Sequence, residues 1–203
     1  MHYEFFVEEV STEAALLNLI PRILEVEHTF AIHPFQGKPD LLANLPARLR
    51  AYGAWNPDNL RIVVLIDEDR EDCKALKGQL EKAAKKAGLV TRTSKKGQSP
   101  FQVLNRLAIE ELEAWFFGDV LALNAAYPRV PATLGKKAKY RDPDSIVGGT
   151  WEALERELRK AGYYPTGMPK IEVSRSVSRH MDVERNRSHS FQVFVNGLKA
   201  CVV

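Results

Sequence analysis

Cysteine is scarce in this chain. Cys73 and Cys201 are the only two among 203 residues, and they lie far apart in no metal-ligand spacing. A disulfide-stapled scaffold and a cysteine-rich zinc site are therefore both excluded, and so few thiols suit a reducing compartment. Long apolar runs are missing too: none approaches the ~20 residues needed to span a bilayer. The opening Met1-His2-Tyr3-Glu4 lacks the basic stretch and apolar run of a secretory signal. The protein is expected to be cytoplasmic, with no membrane partner. No internal repeat is visible. A large charge of one sign is also lacking. The formal net charge of +3 neither demands nor excludes nucleic acid.

The placement of charge says more than its sum. Lys85, Lys86, Arg92, Lys95 and Lys96 form one basic stretch. Lys136, Lys137, Lys139 and Arg141 form a second, and Arg175, Arg179, Arg185 and Arg187 a third. The acids lie mostly elsewhere. Two readings stay open: a basic face beside an acidic pocket, or three solvated surfaces.

Apolar patterning predicts an α/β fold. Tyr3–Val7 and His28–His33 read as strands, and Leu60–Ile66 is the clearest strand, a continuous run suited to burial on both faces. Leu89–Thr93 and Phe101–Ile109 read as a fourth and a fifth. Helices are expected from Ser11 to Leu24, Asp40 to Tyr52 and Asp72 to Ala87, and another near Glu110. Pro21 and Pro46 threaten the first two. Alternating strands and helices imply a mostly parallel, Rossmann-like sheet flanked by helices. From about residue 128 the pattern changes to prolines, Gly148-Gly149 and basic residues, with helices near Trp151–Ala161 and Ser190–Val202. The expected organisation is an α/β core over 1–127 and a helical C-terminal extension over 128–203.

In an open parallel sheet, ligands sit beyond the carboxyl ends of the strands. Acids gather at three such ends: Glu8, Glu9 and Glu13; Asp67 and Asp69; and Glu110, Glu111 and Glu113. Singly each has a plain structural role, as a helix cap or an acid in a first helical turn. Together they repel unless a cation neutralises them. A hard cation such as Mg²⁺ (or Mn²⁺) takes oxygen ligands and often keeps waters beside one or two carboxylates. Two ions roughly 3.5–4 Å apart would clamp both oxygens of a phosphodiester displacement.

These residues carry a resemblance. Phe6-Val7-Glu8-Glu9-Val10-Ser11-Thr12-Glu13 and Val63-Val64-Leu65-Ile66-Asp67-Glu68-Asp69 resemble the two Toprim signatures. The resemblance implies that Glu8 is the catalytic acid/base and that Asp67 and Asp69 bind Mg²⁺. Glu13, Glu111 and Glu113 are candidates for a second ion. Glu9 stands where many Toprim proteins have glycine. His33-Pro34-Phe35-Gln36-Gly37-Lys38, Glu111-Leu112-Glu113-Ala114-Trp115, Tyr140-Arg141-Asp142-Pro143 and Ser188-His189-Ser190-Phe191 further resemble a bacterial Toprim-like family, domain of unknown function 4276. That family's neighbourhood implies an ATPase partner and a role in defence against phage or mobile DNA. Overcoming-lysogenization-defect nucleases carry a related Toprim domain, which makes a metal-dependent nuclease the expected activity. The alternative is a metal- or nucleotide-binding module that works only beside an ATPase.

Other residues bear on the same site. Lys38, Arg185 and Arg187 have donors for phosphate. Trp115 reads as core. His28 and His33 face opposite sides of a strand and make a poor metal pair. Tyr140–Pro143 reads as a loop over the site. A haloacid-dehalogenase-type phosphotransferase also places Asp-x-Asp at a strand end, but Arg70 and Glu71 stand where it expects Thr or Val.

Overall fold

Alternation along the apolar runs decides which way each strand faces. The computed structural model describes residues 1–24, 27–55, 58–96 and 100–201. In β1 (His2–Val7), Tyr3, Phe5 and Val7 enter one hydrophobic cluster and Phe6 enters another. In β3 (Leu60–Asp67), Val63 and Leu65 join the first, and Ile62, Val64 and Ile66 the second. Both strands are covered on two faces, β3 along the unbroken apolar run Ile62–Ile66 and β1 along the shorter Phe5-Phe6-Val7. With β2 (Thr29–Pro34) and β4 (Val103–Ala108) they form a parallel sheet of order β2-β1-β3-β4.

Helix α1 (Val10–Ile23) covers the first face, and α2 (Lys38–Trp55) and α3 (Cys73–Lys86) cover the second through Leu41, Leu45, Leu49, Leu76 and Leu80. Pro21 and Pro46 do not break their helices. Each removes one backbone donor, and burial of Leu16, Leu19, Leu45 and Leu49 outweighs that loss. The chain steps from β1 out to β2, then returns past β1 to β3. The crevice between the carboxyl ends of β1 and β3 is thus a topological switch point.

The expected strand at residues 89–93 needs correction. Residues 89–93 are not a strand. They contribute a single bridge, Thr91 to Val103. Ser94 N and Lys95 N both donate to Thr91 O, so the backbone turns away after one paired residue. The sheet therefore has four strands among the described residues, not five. The last strand also keeps its polar centre. Asn105 Nδ2 donates to Glu81 on α3 at 2.9 Å and Arg106 Nε donates to Val193 O at 3.1 Å, while Asn105 Oδ1 is buried without a partner among the described residues.

Helices α4 (Glu113–Gly118), α5 (Val120–Ala126), α6 (Thr150–Lys160), α7 (Lys170–Ser178) and α8 (His189–Lys199) follow, with three short 3-10 turns between α5 and α6. The sequence pattern did not foretell α5 or α7. The expected end of the last helix, at Val202, lies outside the described residues. Helix α7 packs along α1, and α8 packs on β4. Trp115 is core: its ring meets Phe191 and Phe194 at 5.1 Å each, and its Nε1 donates to Ser190 Oγ. Tyr140 is no lid. It is buried, stacked on Phe117 at 4.7 Å, with its hydroxyl donating to Glu157.

Candidate functional site

Parallel pairing of β1 with β3 brings Glu8 beside Asp67. Val7 pairs with Leu65, so the first residue past β1 lies level with the last residues of β3. Glu8 is buried, and its Oε2 accepts from Asp67 N at 3.2 Å. The loop after β3 is laced to the loop after β4. Glu68 N donates to Ala108 O, Asp69 N to Glu110 O, and Glu110 N to the Glu68 carboxylate. These bonds hold Asp69, Arg70 and Glu110 at φ of 52°, 63° and 60°. Left-handed backbone at residues with a Cβ costs about 1–2 kcal/mol each, so the lacing must overcome it. Such strain clusters at functional sites.

The carboxylates act on one another. Burial holds the Asp67 carboxyl well above its usual range, and Glu8, Glu113, Asp69 and Glu9 add repulsion. Burial pushes Glu8 up to about 7, helped by Asp69 and Glu9 and opposed by the Asp67 N–H and Lys38. Burial likewise pushes Glu113 to about 7. Lys170 opposes this, while Glu111 and Glu9 reinforce it. Acids from the ends of β1 and β3 and from the start of α4 thus share one electrostatic field.

Two lysines flank that field. Lys38, at the start of α2, is buried and donates to Asp69 Oδ2 and Glu71 Oε1 at 2.9 Å and to Glu68 O at 3.0 Å. All three ammonium donors are used inside the protein. Lys38 therefore ties down the Asp-x-Asp loop, and its donors are not turned toward an open phosphate site. Lys170, at the start of α7, lies over the Trp151 ring at 4.7 Å and 3.7 Å from Glu9. Burial works against its charge, but Glu113, Glu9, Glu111 and Asp67 outweigh burial and keep it protonated. Sequence reasoning missed Lys170. It lies about a hundred residues after Asp67 in a stretch without strand context, and only the packing of α7 on α1 brings it to the rim.

The other candidates divide. Glu113 is buried at the rim. Glu13 sits part-buried in the first turn of α1. Glu111 accepts from Thr150 Oγ1 and Trp151 N at 2.8 Å each, so one of its oxygens caps α6. Arg185 is bidentate on buried Asp119, at 3.0 and 3.1 Å, and also bonds Asp182. Arg187 donates to Arg141 O at 3.5 Å. Both arginines stitch the C-terminal segment together, and neither bonds to the acidic rim. His33 pairs with Glu4 and His28 packs on Tyr3, so the two histidines do not meet.

Among the described residues, no three His, Cys, Asp or Glu side chains converge tightly enough to cage an ion. The donor chemistry nevertheless fits Mg²⁺, which needs only one or two carboxylates because it keeps its waters. Asp67 is the best-suited ligand, since no donor among the described residues reaches its carboxylate.

The fold and rim define a parallel α/β protein with a carboxylate cluster at its switch point. Residues 7–199 match the family model described as domain of unknown function DUF4276, and the chain belongs to that family. Comparison with curated proteins and with solved structures finds no match.

Proposed function

We propose that this protein is a Toprim-like phosphodiester-processing enzyme, a nuclease dependent on Mg²⁺ or Mn²⁺. The observation that carries this reading is the hydrogen bond from Asp67 N to Glu8 across the switch point, with no donor among the described residues on the Asp67 carboxylate and with repulsion on it from Glu113, Asp69 and Glu9. Uncompensated carboxylates in such a cluster destabilise the fold until a cation joins them. Asp67 and Asp69 would hold the ion, with Glu113 a further carboxylate in the same field. When bound, the ion supplies charge stabilisation at a phosphoryl oxygen. Glu8, fixed through one oxygen by the Asp67 N–H, is the group that takes or returns a proton. Lys38 positions Asp69, and Lys170 balances charge from the opposite side.

A second reading is a metal- or nucleotide-binding module that works only beside an ATPase. Lys38 favours it, because one oxygen of Asp69 is already paired with that lysine and only the other is left for an ion. Cleavage decides between the two. Wild type with Mg²⁺ or Mn²⁺ is expected to nick supercoiled plasmid or cut single-stranded DNA, and Asp67→Asn to lose at least 100-fold with an unchanged circular dichroism spectrum. A wild type inactive on both substrates moves the assignment to the binding module. An Asp67→Asn variant that cuts normally removes Asp67 from the reaction.

A further inference from the structure

Glu157, on α6, is a buried carboxylate with more cations than it needs. Lys137, Lys139 and Lys160 approach it at 3.2, 3.4 and 3.1 Å, and the Tyr140 hydroxyl donates to it at 2.9 Å. One ammonium would neutralise it. The two extra ones repel each other and the first, so stability alone does not account for the knot. The lysines are half-exposed, at 49, 50 and 59%, and the Lys139 ammonium also lies over the Tyr140 ring at 4.4 Å. Arg156, Arg159 and Lys160 line a neighbouring surface cavity together with Glu152 and Glu155, and Arg159 is paired with Glu155 at 2.9 Å.

We propose that this knot is a phosphate-backbone site for nucleic acid, with α6 setting its distance from the acidic rim. This rests on the nuclease reading above. The start of α6 is capped by Glu111 at the rim. Glu152, on the first turn, lines a cavity of about 190 Å³ with Asp69, Arg70, Glu110 and Glu111. The same Glu152, with Glu155, borders the cavity of mixed charge further along. The helix has 11 residues and so spans roughly 15 Å at 1.5 Å per residue. That is about four to five nucleotides of a strand at 3.4 Å each. Phosphate contacts of this kind position a strand without reading its sequence. The rival basic stretch at Lys85 and Lys86 ends α3, beside the amino ends of the strands and away from the rim.

The test is fluorescence anisotropy of a labelled 20-base single-stranded DNA in EDTA, from 25 to 200 mM salt, with an RNA of the same sequence as a second arm. Lys137→Gln/Lys139→Gln leaves Lys160 and Tyr140 on Glu157, so the carboxylate stays paired. That variant is expected to bind about tenfold more weakly at low salt, with a log–log salt slope shallower by roughly 1.4, or 0.7 per lost phosphate contact. Lys137→Arg/Lys139→Arg and Lys85→Gln/Lys86→Gln are expected to bind as wild type, and RNA to bind like DNA. A wild type that does not bind, or a double Gln variant with unchanged affinity and slope, overturns the proposal. Asp67→Asn is expected to bind DNA normally. Loss of cleavage in that variant with binding intact therefore separates failure of this surface from failure of the nuclease reading.

Discussion

At the scale of residues, two buried acids end with opposite shifts although burial raises both. Glu8 has one backbone donor and acidic neighbours, so burial dominates and raises it. Burial would raise Glu157 as well, but hydrogen bonds from Lys160, Tyr140 and Lys137 overcome it and hold Glu157 at about 2. An acid depressed in the folded state contributes stability above its unfolded value, near 4.5, and loses it as pH falls toward the folded value. Glu157→Gln is therefore expected to lower the melting temperature at pH 7, with the gap closing between pH 4.5 and 2. The loss at neutral pH is on the order of 1–2 kcal/mol, discounted because the lysines are half-exposed. Equal gaps at pH 7 and pH 2.5 would remove the ionic explanation. The rim acids were legible in the sequence, because Glu8 and Asp67 each follow an apolar run that can only be a strand. Glu157 and Lys170 were not. Their roles depend on partners distant in sequence, and a charged residue in an amphipathic helix looks the same whether or not it is buried.

At the scale of elements, the join between α4 and the segment before α8 has no slack. A Cβ at Gly118 would collide with the Asn186 side-chain oxygen and lie 2.9 Å from Ser188 N. Asn186 is fully buried, its Nδ2 donating to Trp115 O at 2.7 Å and its Oδ1 accepting from Ser188 N. Gly118→Ala is expected to cost on the order of 1–3 kcal/mol in urea denaturation. A neutral effect would mean that this contact is looser than described. The strong strands were readable because β1 and β3 carry runs that only two-sided burial explains. Residues 89–93 misled because Leu89, Val90 and Thr91 have strand composition, while the turn that ends pairing is made by Thr91 and Ser94 hydroxyls. Helix α7 was hidden for the opposite reason. Its Val and Ser residues are weak helix formers, and its stability comes from docking. Asn18 of α1 donates to Ser178 Oγ and Arg175 O, and Val173 and Val177 are buried.

At the scale of the whole molecule, the two halves of the chain share one hydrophobic cluster. Tyr3, Phe5 and Leu16 belong to it, as do Val173, Phe191 and Phe194. The sequence reading placed a change of character near residue 128, and the packing shows what the later residues do. They close the sheet's first face, supply Thr150 and Trp151 to Glu111, and carry Lys170 to the acids. No described helix is long and apolar enough to cross a membrane. The central claim is that these acids gather to hold a divalent cation, and isothermal titration of Mg²⁺ and Mn²⁺ tests it most directly. Wild type is expected to bind at least one ion per chain, and Asp67→Asn to lose that binding while remaining folded. A wild type that binds neither ion, or an Asp67→Asn variant that binds them equally well, would contradict the account.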